Sequence, residues 1–260
     1  MRIATWNVNS IKARLVAAKE WLAETAPDVV CMQEIKCTDD GFPAGEFEQL
    51  GYSCAVHGQK SYNGVAILSR RQLEDVSPGL PHGNSDNHAR YLEALVPGDK
   101  GILRVASIYA PNGNPIGTEK FSYKLDWHAR LATHANELLA AEEPIVLMGD
   151  YNIIPEPEDC YDPKAWEMDA LFQPESRRAL RRLENLGYTD AVRACHGEPQ
   201  LYTFWDYQAG CWQKNRGIRI DHILLSPQAA DRLVTTGINK HMRGRERPSD
   251  HVPVWCELDI

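Results

Sequence analysis

The sequence predicts an α/β fold made of two packed mixed β-sheets with helices on the outside. Three observations carry that reading. Eight short apolar runs rich in β-branched residues recur along the 260 residues, helical stretches separate only some of them, and several neighbours are joined by short turns. A doubly wound parallel sheet needs a helix between most consecutive strands, so this pattern disfavours it. Hydrophobic residues make up 43% of the chain. That is enough for a substantial core, and with no low-complexity linker the expectation is a single domain over residues 1–260.

The elements follow in order. Ile3 to Trp6 is a strand by length, and Ser10 is placed as the N-cap of a helix that aligns Ile11, Leu15, Ala18 and Leu22 before Pro27 stops it. Strands are expected at Val29 to Met32, Val65 to Leu68, Leu92 to Val96 and Leu103 to Tyr109. Phe121, Leu125, Leu131, Ala135 and Leu138 mark a second helix, followed by a strand at Ile145 to Met148. Ser176 to Leu186 is an arginine-rich third helix with Gly187 as its C′ residue, and the last strands are Ile218 to Leu225 and Val254 to Leu258. In both halves an apolar strand ends in a polar cluster, Ala4 to Asn9 and Leu147 to Asn152, a hint of internal pseudosymmetry.

The formal net charge of −8 argues against a general nucleic-acid coat, since such domains are basic overall. It is compatible with a nuclease, whose cleft needs carboxylates for metal and only a local basic rim for phosphates. The seven cysteines are scattered and never spaced as CxxC, which suggests neither a disulfide framework nor structural zinc and fits a reducing cytosol. No apolar run approaches the ~18 residues that span a bilayer, and Met1 to Trp6 leads straight into a strand pattern. The expectation is a soluble cytoplasmic protein with no membrane partner.

Five strand ends are polar: Asn7, Gln33-Glu34, Tyr109 with Asn112, Asp150 with Asn152, and Asp221 within Arg219-Ile220-Asp221-His222. Such groups converge at one sheet edge, where a rigid scaffold presents catalytic side chains. Taken singly, each has a plain explanation, because Asn7 and Asn152 can cap turns and Glu34 can open a solvated loop. Ser249-Asp250-His251 sets an acid and an imidazole side by side before the final strand. Paired with Gly149-Asp150-Tyr151-Asn152, it reads as two halves of one phosphoester-cleaving site: a carboxylate to orient water, an amide to position it and a histidine to meet the oxyanion. Glu34 is the anchor for the metal such a site requires.

With these segments, and with Trp6-Asn7-Val8-Asn9-Ser10, Gln33-Glu34-Ile35-Lys36, Gly64-Val65-Ala66-Ile67, Tyr109-Ala110-Pro111-Asn112-Gly113, Tyr202-Thr203-Phe204-Trp205 and Asn215 to Asp221, the sequence resembles the exonuclease III family of apurinic/apyrimidinic endonucleases. That family lies within the wider endonuclease/exonuclease/phosphatase superfamily. The resemblance covers essentially the whole chain. It implies a four-layered α/β sandwich with the site at the end of both sheets. Glu34 matches the family's metal-binding glutamate, for Mg²⁺ with Mn²⁺ as a substitute. Asn7 and Asp250 approach the same metal region, with Asp150 and Asn152 beside it. The resemblance further implies that Asp150 orients or deprotonates the attacking water, that Asn152 holds water and phosphate in line, and that His251 touches a non-bridging phosphate oxygen. Asp221 would fix the tautomer of His251, and Tyr109 would face the phosphate.

For DNA, the resemblance places Lys120 in a phosphate-contacting region, where an ordinary exposed lysine is the alternative. Phe204, Ile218 and Ile220 match the walls of an abasic-sugar pocket. Trp212 is either a wedge inserted into the duplex or a loop anchor. Lys240, Arg243, Arg245 and Arg247 against Glu246 form a local cationic excess next to Asp250-His251 that suits a DNA backbone. The implied function is incision of duplex DNA 5′ of abasic sites, leaving a 3′ hydroxyl, with 3′→5′ exonuclease activity, by a monomer that associates with the nucleoid. A superfamily relative acting on phosphoinositides, sphingomyelin or RNA tails is the enzyme alternative, and a DNA-binding module that has lost catalysis is the other.

Overall fold

The computed structural model describes residues 1–83 and 86–260. Its first part runs β1 (Arg2–Asn7), α1 (Ile11–Thr25), β2 (Val29–Gln33), α2 (Ala44–Glu48), β3 (Ser53–His57), β4 (Val65–Ser69) and β5 (Glu74–Pro78). Then come β6 (Tyr91–Pro97), β7 (Ile102–Tyr109), α3 (Glu119–Leu139), β8 (Ile145–Asp150), α4 (Pro174–Leu186), β9 (Thr189–Asp190) and α5 (Ala191–Cys195). The chain ends with β10 (Asp221–Leu225), α6 (Pro227–Ala230), β11 (Leu233–Ile238) and β12 (Val254–Leu258). Two six-stranded sheets result, ordered β11-β12-β1-β2-β4-β3 and β5-β6-β7-β8-β10-β9. Both mix parallel with antiparallel pairs: β1 is parallel to β2 and antiparallel to β12, while β8 is parallel to β7 and antiparallel to β10.

Successive side chains of a strand point to opposite faces, and that alternation builds the layers. Ile3, Val29 and Cys31 of one sheet meet Val105, Val146 and Met148 of the other in an apolar core between the sheets. The intervening Ala4, Trp6, Val30 and Met32 turn outward onto Trp21 and Leu22 of α1, while Ile145 and Leu147 turn outward onto Trp127 and Leu131 of α3. Helix, sheet, sheet, helix is the four-layered sandwich expected from the sequence. Among the described residues no helix is long and apolar enough to cross a membrane, and all seven cysteines are free.

Several expectations about elements need correction. Ser10 precedes α1 but does not cap it with its side chain; its backbone adopts φ 84°. The Ser10 N–H donates to Glu34 O at 2.7 Å and the Ile11 N–H to Ile35 O at 3.2 Å, so the loop after β2 satisfies the helix start. The run Ile218 to Leu225 is a strand only from Asp221, because Ile218 is held by isolated bridges to Phe204 and Cys160. Four strands lay outside the expected set: β3, β5, β9 and β11. The fully exposed polar sequence of β5 and the mostly part-exposed β3 and β11 lack a clear apolar run, and β9 has only two residues.

Candidate active site

Strand direction gathers the polar ends. The C-terminal ends of β1, β2, β7 and β8 carry Asn7, Gln33-Glu34, Tyr109 and Asp150, and the antiparallel β10 begins at the same edge, with Asp221 and Tyr109 both paired to Asp150 in register. Gly149 lets β8 run close to β7: a Cβ there would stand 1.9 Å from Ile108 O. Glu34 and Asn152 each adopt φ 51°, a conformation uncommon for residues with side chains that concentrates at functional sites.

One amide joins the sheets. Asn7 Nδ2 donates to Glu34 Oε1 and to Asp150 Oδ2, both at 2.9 Å. The second Asp150 oxygen accepts the Asn152 N–H at 2.9 Å. On the far side of Asp150, His251 Nε2 lies 3.8 Å from Oδ2, while Nδ1 meets both Asp221 oxygens at 2.9 and 3.1 Å. Asp221 is itself located by Thr203, whose Oγ1 accepts the N–H groups of Ile220 and Asp221 at 3.1 and 3.2 Å. Asn152 is fixed by Nδ2 donating to Ala110 O at 2.9 Å and by Asn112 Nδ2 donating to its Oδ1 at 3.2 Å. Tyr109 lies under Arg90, whose guanidinium carbon is 4.8 Å from the ring centroid.

Burial and these neighbours set the charges. Burial, reinforced by Asp221 and Glu34 and only partly opposed by His251, pushes the Asp150 carboxyl up to about 7. For His251, burial opposes the charged ring, but Asp221 by charge and hydrogen bond, with Asp150 and Asp250, raises it to about 10. Glu34 stays below the usual carboxylate range although burial acts against ionisation, because Lys36 and Asn7 hold its anion. Burial, Glu34 and Asp150 together raise the Tyr109 phenol well above its ordinary value. The edge therefore holds a neutral phenol, a doubly protonated imidazole and a carboxyl balanced near neutrality.

Glu34 and Asp150 bring carboxylate oxygens within 4.8 Å of each other and of a His251 ring nitrogen, and the ring, holding both its protons, leaves the two carboxylates as the ligands. Two of the three are carboxylates, the oxygen donors a hard divalent cation prefers, so the residues present fit a metal. Asp250 stands one layer out, its Oδ1 accepting from Asn9 Nδ2 at 3.0 Å. Asn9 and Lys36, which ion-pairs with Glu34 at 2.8 Å, were inside the matched motifs without a role. Arg219, quoted as part of a motif, is a buried ion-pair hub to Asp159 at 2.7 Å and Asp190 at 2.6 Å. Lys124, fully buried on α3, was missed altogether; burial pushes its ammonium down to about 7.

The expected DNA contacts divide. The Phe204 ring meets the His251 ring edge-on at 4.9 Å. With Ile218, Tyr161, Trp166 and Arg216 it lines a cavity of about 180 Å³. Ile220 does not line this cavity; it is buried, as Ile218 is, in a cluster with Ile154, Cys160 and Leu171. Lys120 is exposed at the start of α3. Trp212 is half-buried against Trp205, ring centroids 5.1 Å apart, which is the loop-anchor arrangement. The cationic loop is mostly committed elsewhere. Arg243 is buried and donates to Trp205 O, and Arg245 pairs with Glu20 and Glu24 of α1. Lys240 reaches Asn215 Oδ1 at 2.9 Å, and Arg247 is exposed.

A scaffold of two sheets presenting carboxylates, amides and a charged histidine at one edge defines a metal-dependent phosphoester hydrolase. The sequence pattern of the endonuclease/exonuclease/phosphatase family matches residues 4–251, and the chain belongs to that family. It is 34% identical to exodeoxyribonuclease III of Haemophilus influenzae, over 99% of this chain and 100% of that one. The structure superposes on the 3′-5′ exonuclease NExo of Neisseria meningitidis with a TM-score of 0.95 at 40% identity, covering 100% of both chains. It superposes on an AP endonuclease of Archaeoglobus fulgidus with a TM-score of 0.94 at 37% identity, again over 100% of both. The chain is an enzyme of the nuclease class.

Proposed function

We propose that the chain is a Mg²⁺-dependent DNA repair phosphodiesterase. It incises duplex DNA 5′ of abasic sites to leave a 3′ hydroxyl, and it also removes nucleotides from 3′ ends. The observation that carries this reading is the single amide of Asn7 bridging Glu34 and Asp150, with the Asp221–His251 pair 3.8 Å beyond. Glu34 and Asp150, with Asn7 between them and Asp250 behind, would hold Mg²⁺, which supplies charge neutralisation at the phosphate and an acidified water.

The chain's own groups do the rest. Asp150, held by Asn7 and Asn152 and 3.8 Å from His251, accepts the proton of the attacking water. The Asn152 Nδ2 carries two hydrogens, so its bond to Ala110 leaves one to hold that water or a phosphate oxygen in line. His251 keeps both ring protons, gives Nδ1–H to Asp221 and presents Nε2–H to a non-bridging oxygen as negative charge grows there. Tyr109, kept protonated, adds a neutral donor. The half-buried face of Phe204 beside His251 makes a wall for a sugar without its base, which enters at less unstacking cost than an intact nucleotide. Lys120 and Arg247 are exposed and available to backbone phosphates. The likeness to proteins described as a 3′-5′ exonuclease, an AP endonuclease and a 3′ phosphatase supports one site serving internal abasic sites and 3′ termini. The enzyme is proposed to work as a cytoplasmic, nucleoid-associated monomer.

The test is a duplex bearing one abasic analogue, incubated with the protein and Mg²⁺ beside an intact duplex and a phosphoinositide headgroup. A product ending one nucleotide 5′ of the lesion supports the reading. Release of phosphate from the headgroup with both duplexes untouched would overturn it.

A further inference from the structure

We propose that Lys124 is the positioning residue of the catalytic edge, a buried pin that holds the main chain of Asn152 and thereby the water-orienting pair Asp150–Asn152. This rests on the phosphodiesterase reading above and deepens it. Lys124 projects from α3 and is 0% exposed. Its Nζ donates to three backbone carbonyls, Asn112 O at 3.0 Å, Asn152 O at 2.5 Å and Ala170 O at 3.3 Å. The three acceptors belong to three separate segments: the loop after β7, the loop after β8 and the approach to α4. In the protonated form the three hydrogens meet three acceptors, a satisfied set with no need of further partners.

Packing alone does not call for a lysine here. A buried ammonium carries a desolvation penalty that a methionine on the same helix face would avoid, so the side chain is explained by what its charge and donors hold in place. What they hold is strained. Asn152 sits at φ 51°. From that conformation its N–H reaches Asp150 Oδ1 and its side chain reaches Ala110 O and Asn112. Gly113, at φ 89°, wraps the lysine so closely that a Cβ would stand 2.6 Å from Lys124 Cδ. Ala170 is braced from its other side, its O accepting from Ser176 Oγ at 2.6 Å and its N–H donating to Asn114 Oδ1 at 2.9 Å. Without the pin, the loop after β8 loses the bond that offsets its strained turn, and an ångström of drift at an in-line displacement costs on the order of 10²-fold in rate.

The experiment is a double-mutant cycle of Lys124→Met with Asn152→Ala, read by single-turnover cleavage of the abasic duplex at saturating protein and Mg²⁺, with duplex affinity and melting temperature measured on each variant. A residue acting through Asn152 gives coupled losses. Lys124→Met is expected to slow cleavage about 10²-fold with duplex affinity unchanged, yet to cost no more than about 3-fold when Asn152 is already alanine. Equal fold-losses in both backgrounds, or a near-normal rate for Lys124→Met, would overturn the proposal. If the methionine variant does not fold, Lys124→Gln, which keeps an amide donor, enters the same cycle with the same criterion. Should the wild type spare the abasic duplex but trim 3′ ends, the abasic reading fails, and the cycle is decided on the 3′-terminal phosphodiester.

Discussion

Replacing Asp150 by asparagine is expected to abolish turnover and, in chelator at neutral pH, to make the fold more stable. The Asp150 carboxyl is raised from 3.8 to about 7, first by burial and then by Asp221 and Glu34. The unfolded chain gives up this proton near pH 4 while the folded protein keeps it until about 7. Metal-free stability therefore falls as pH rises through that window and stays low above it. Three pH units correspond to about 4 kcal/mol. Asparagine escapes that cost but has one oxygen where aspartate has two, so it satisfies either Asn7 Nδ2 or the Asn152 N–H and loses the other, about 1–3 kcal/mol. The balance at pH 8 is a gain of about 2 kcal/mol, or roughly 5 °C in melting temperature for a chain of this size. At pH 4, where aspartate is protonated in the folded state and only about half protonated in the unfolded chain, its cost has shrunk to about 0.6 kcal/mol, the lost bond outweighs it and the variant melts below wild type. Thermal unfolding in chelator across pH 4 to 8, on both proteins, reads the sign change. A difference that does not vary with pH, or a variant less stable at pH 8, would refute the assignment of a strained carboxyl at this position.

Other expectations follow from the same edge. Excess chelator should stop cleavage and Mg²⁺ or Mn²⁺ restore it, because the joined Glu34 and Asp150 are left without the cation they are built around; full incision in chelator would exclude that role. His251→Asn should lower single-turnover cleavage on the order of 10²-fold or more while a binding titration stays near wild type; a normal rate would remove His251 from the oxyanion role. Asp221→Asn removes a main support of the raised His251 pKa, so the loss of activity on the alkaline side should move to lower pH than in wild type; an unmoved profile with a collapsed melting temperature would make Asp221 a fold residue. Phe204→Ala should reduce abasic incision more steeply than cleavage of undamaged DNA; an unchanged ratio on folded protein would place the sugar wall elsewhere.

The site was more legible in the sequence than the fold's periphery, for a physical reason. Asn7, Glu34, Asp150 and Asp221 each sit at the polar end of a buried strand, and such an end marks itself by an abrupt change of polarity. The peripheral β5, with every residue exposed, has no such contrast. The DNA-facing residues were harder still. Arg243 and Arg245 belong to a cationic cluster in the sequence, but nothing local tells that one is buried on Trp205 O and the other paired to α1, more than two hundred residues away. Ile218 and Ile220 likewise look equivalent in the sequence and are both buried in one cluster, and only the fold shows that Ile218 alone of the two lines the cavity beside Phe204. Lys124 was invisible because lysine on an amphipathic helix is ordinarily exposed, and only the tertiary fold closes three carbonyls over it.

The central claim is that this edge activates water against phosphorus on the 5′ side of an abasic site. Cleavage of a duplex carrying a natural abasic site, run in ¹⁸O-water with Mg²⁺ and analysed by mass spectrometry, tests it directly. One ¹⁸O is expected in the new 5′-phosphate on the abasic sugar, with an unlabelled 3′ hydroxyl on the other fragment. An unlabelled phosphate accompanied by an unsaturated sugar at the 3′ end would mean elimination rather than hydrolysis, and would contradict the roles given to Asp150 and His251.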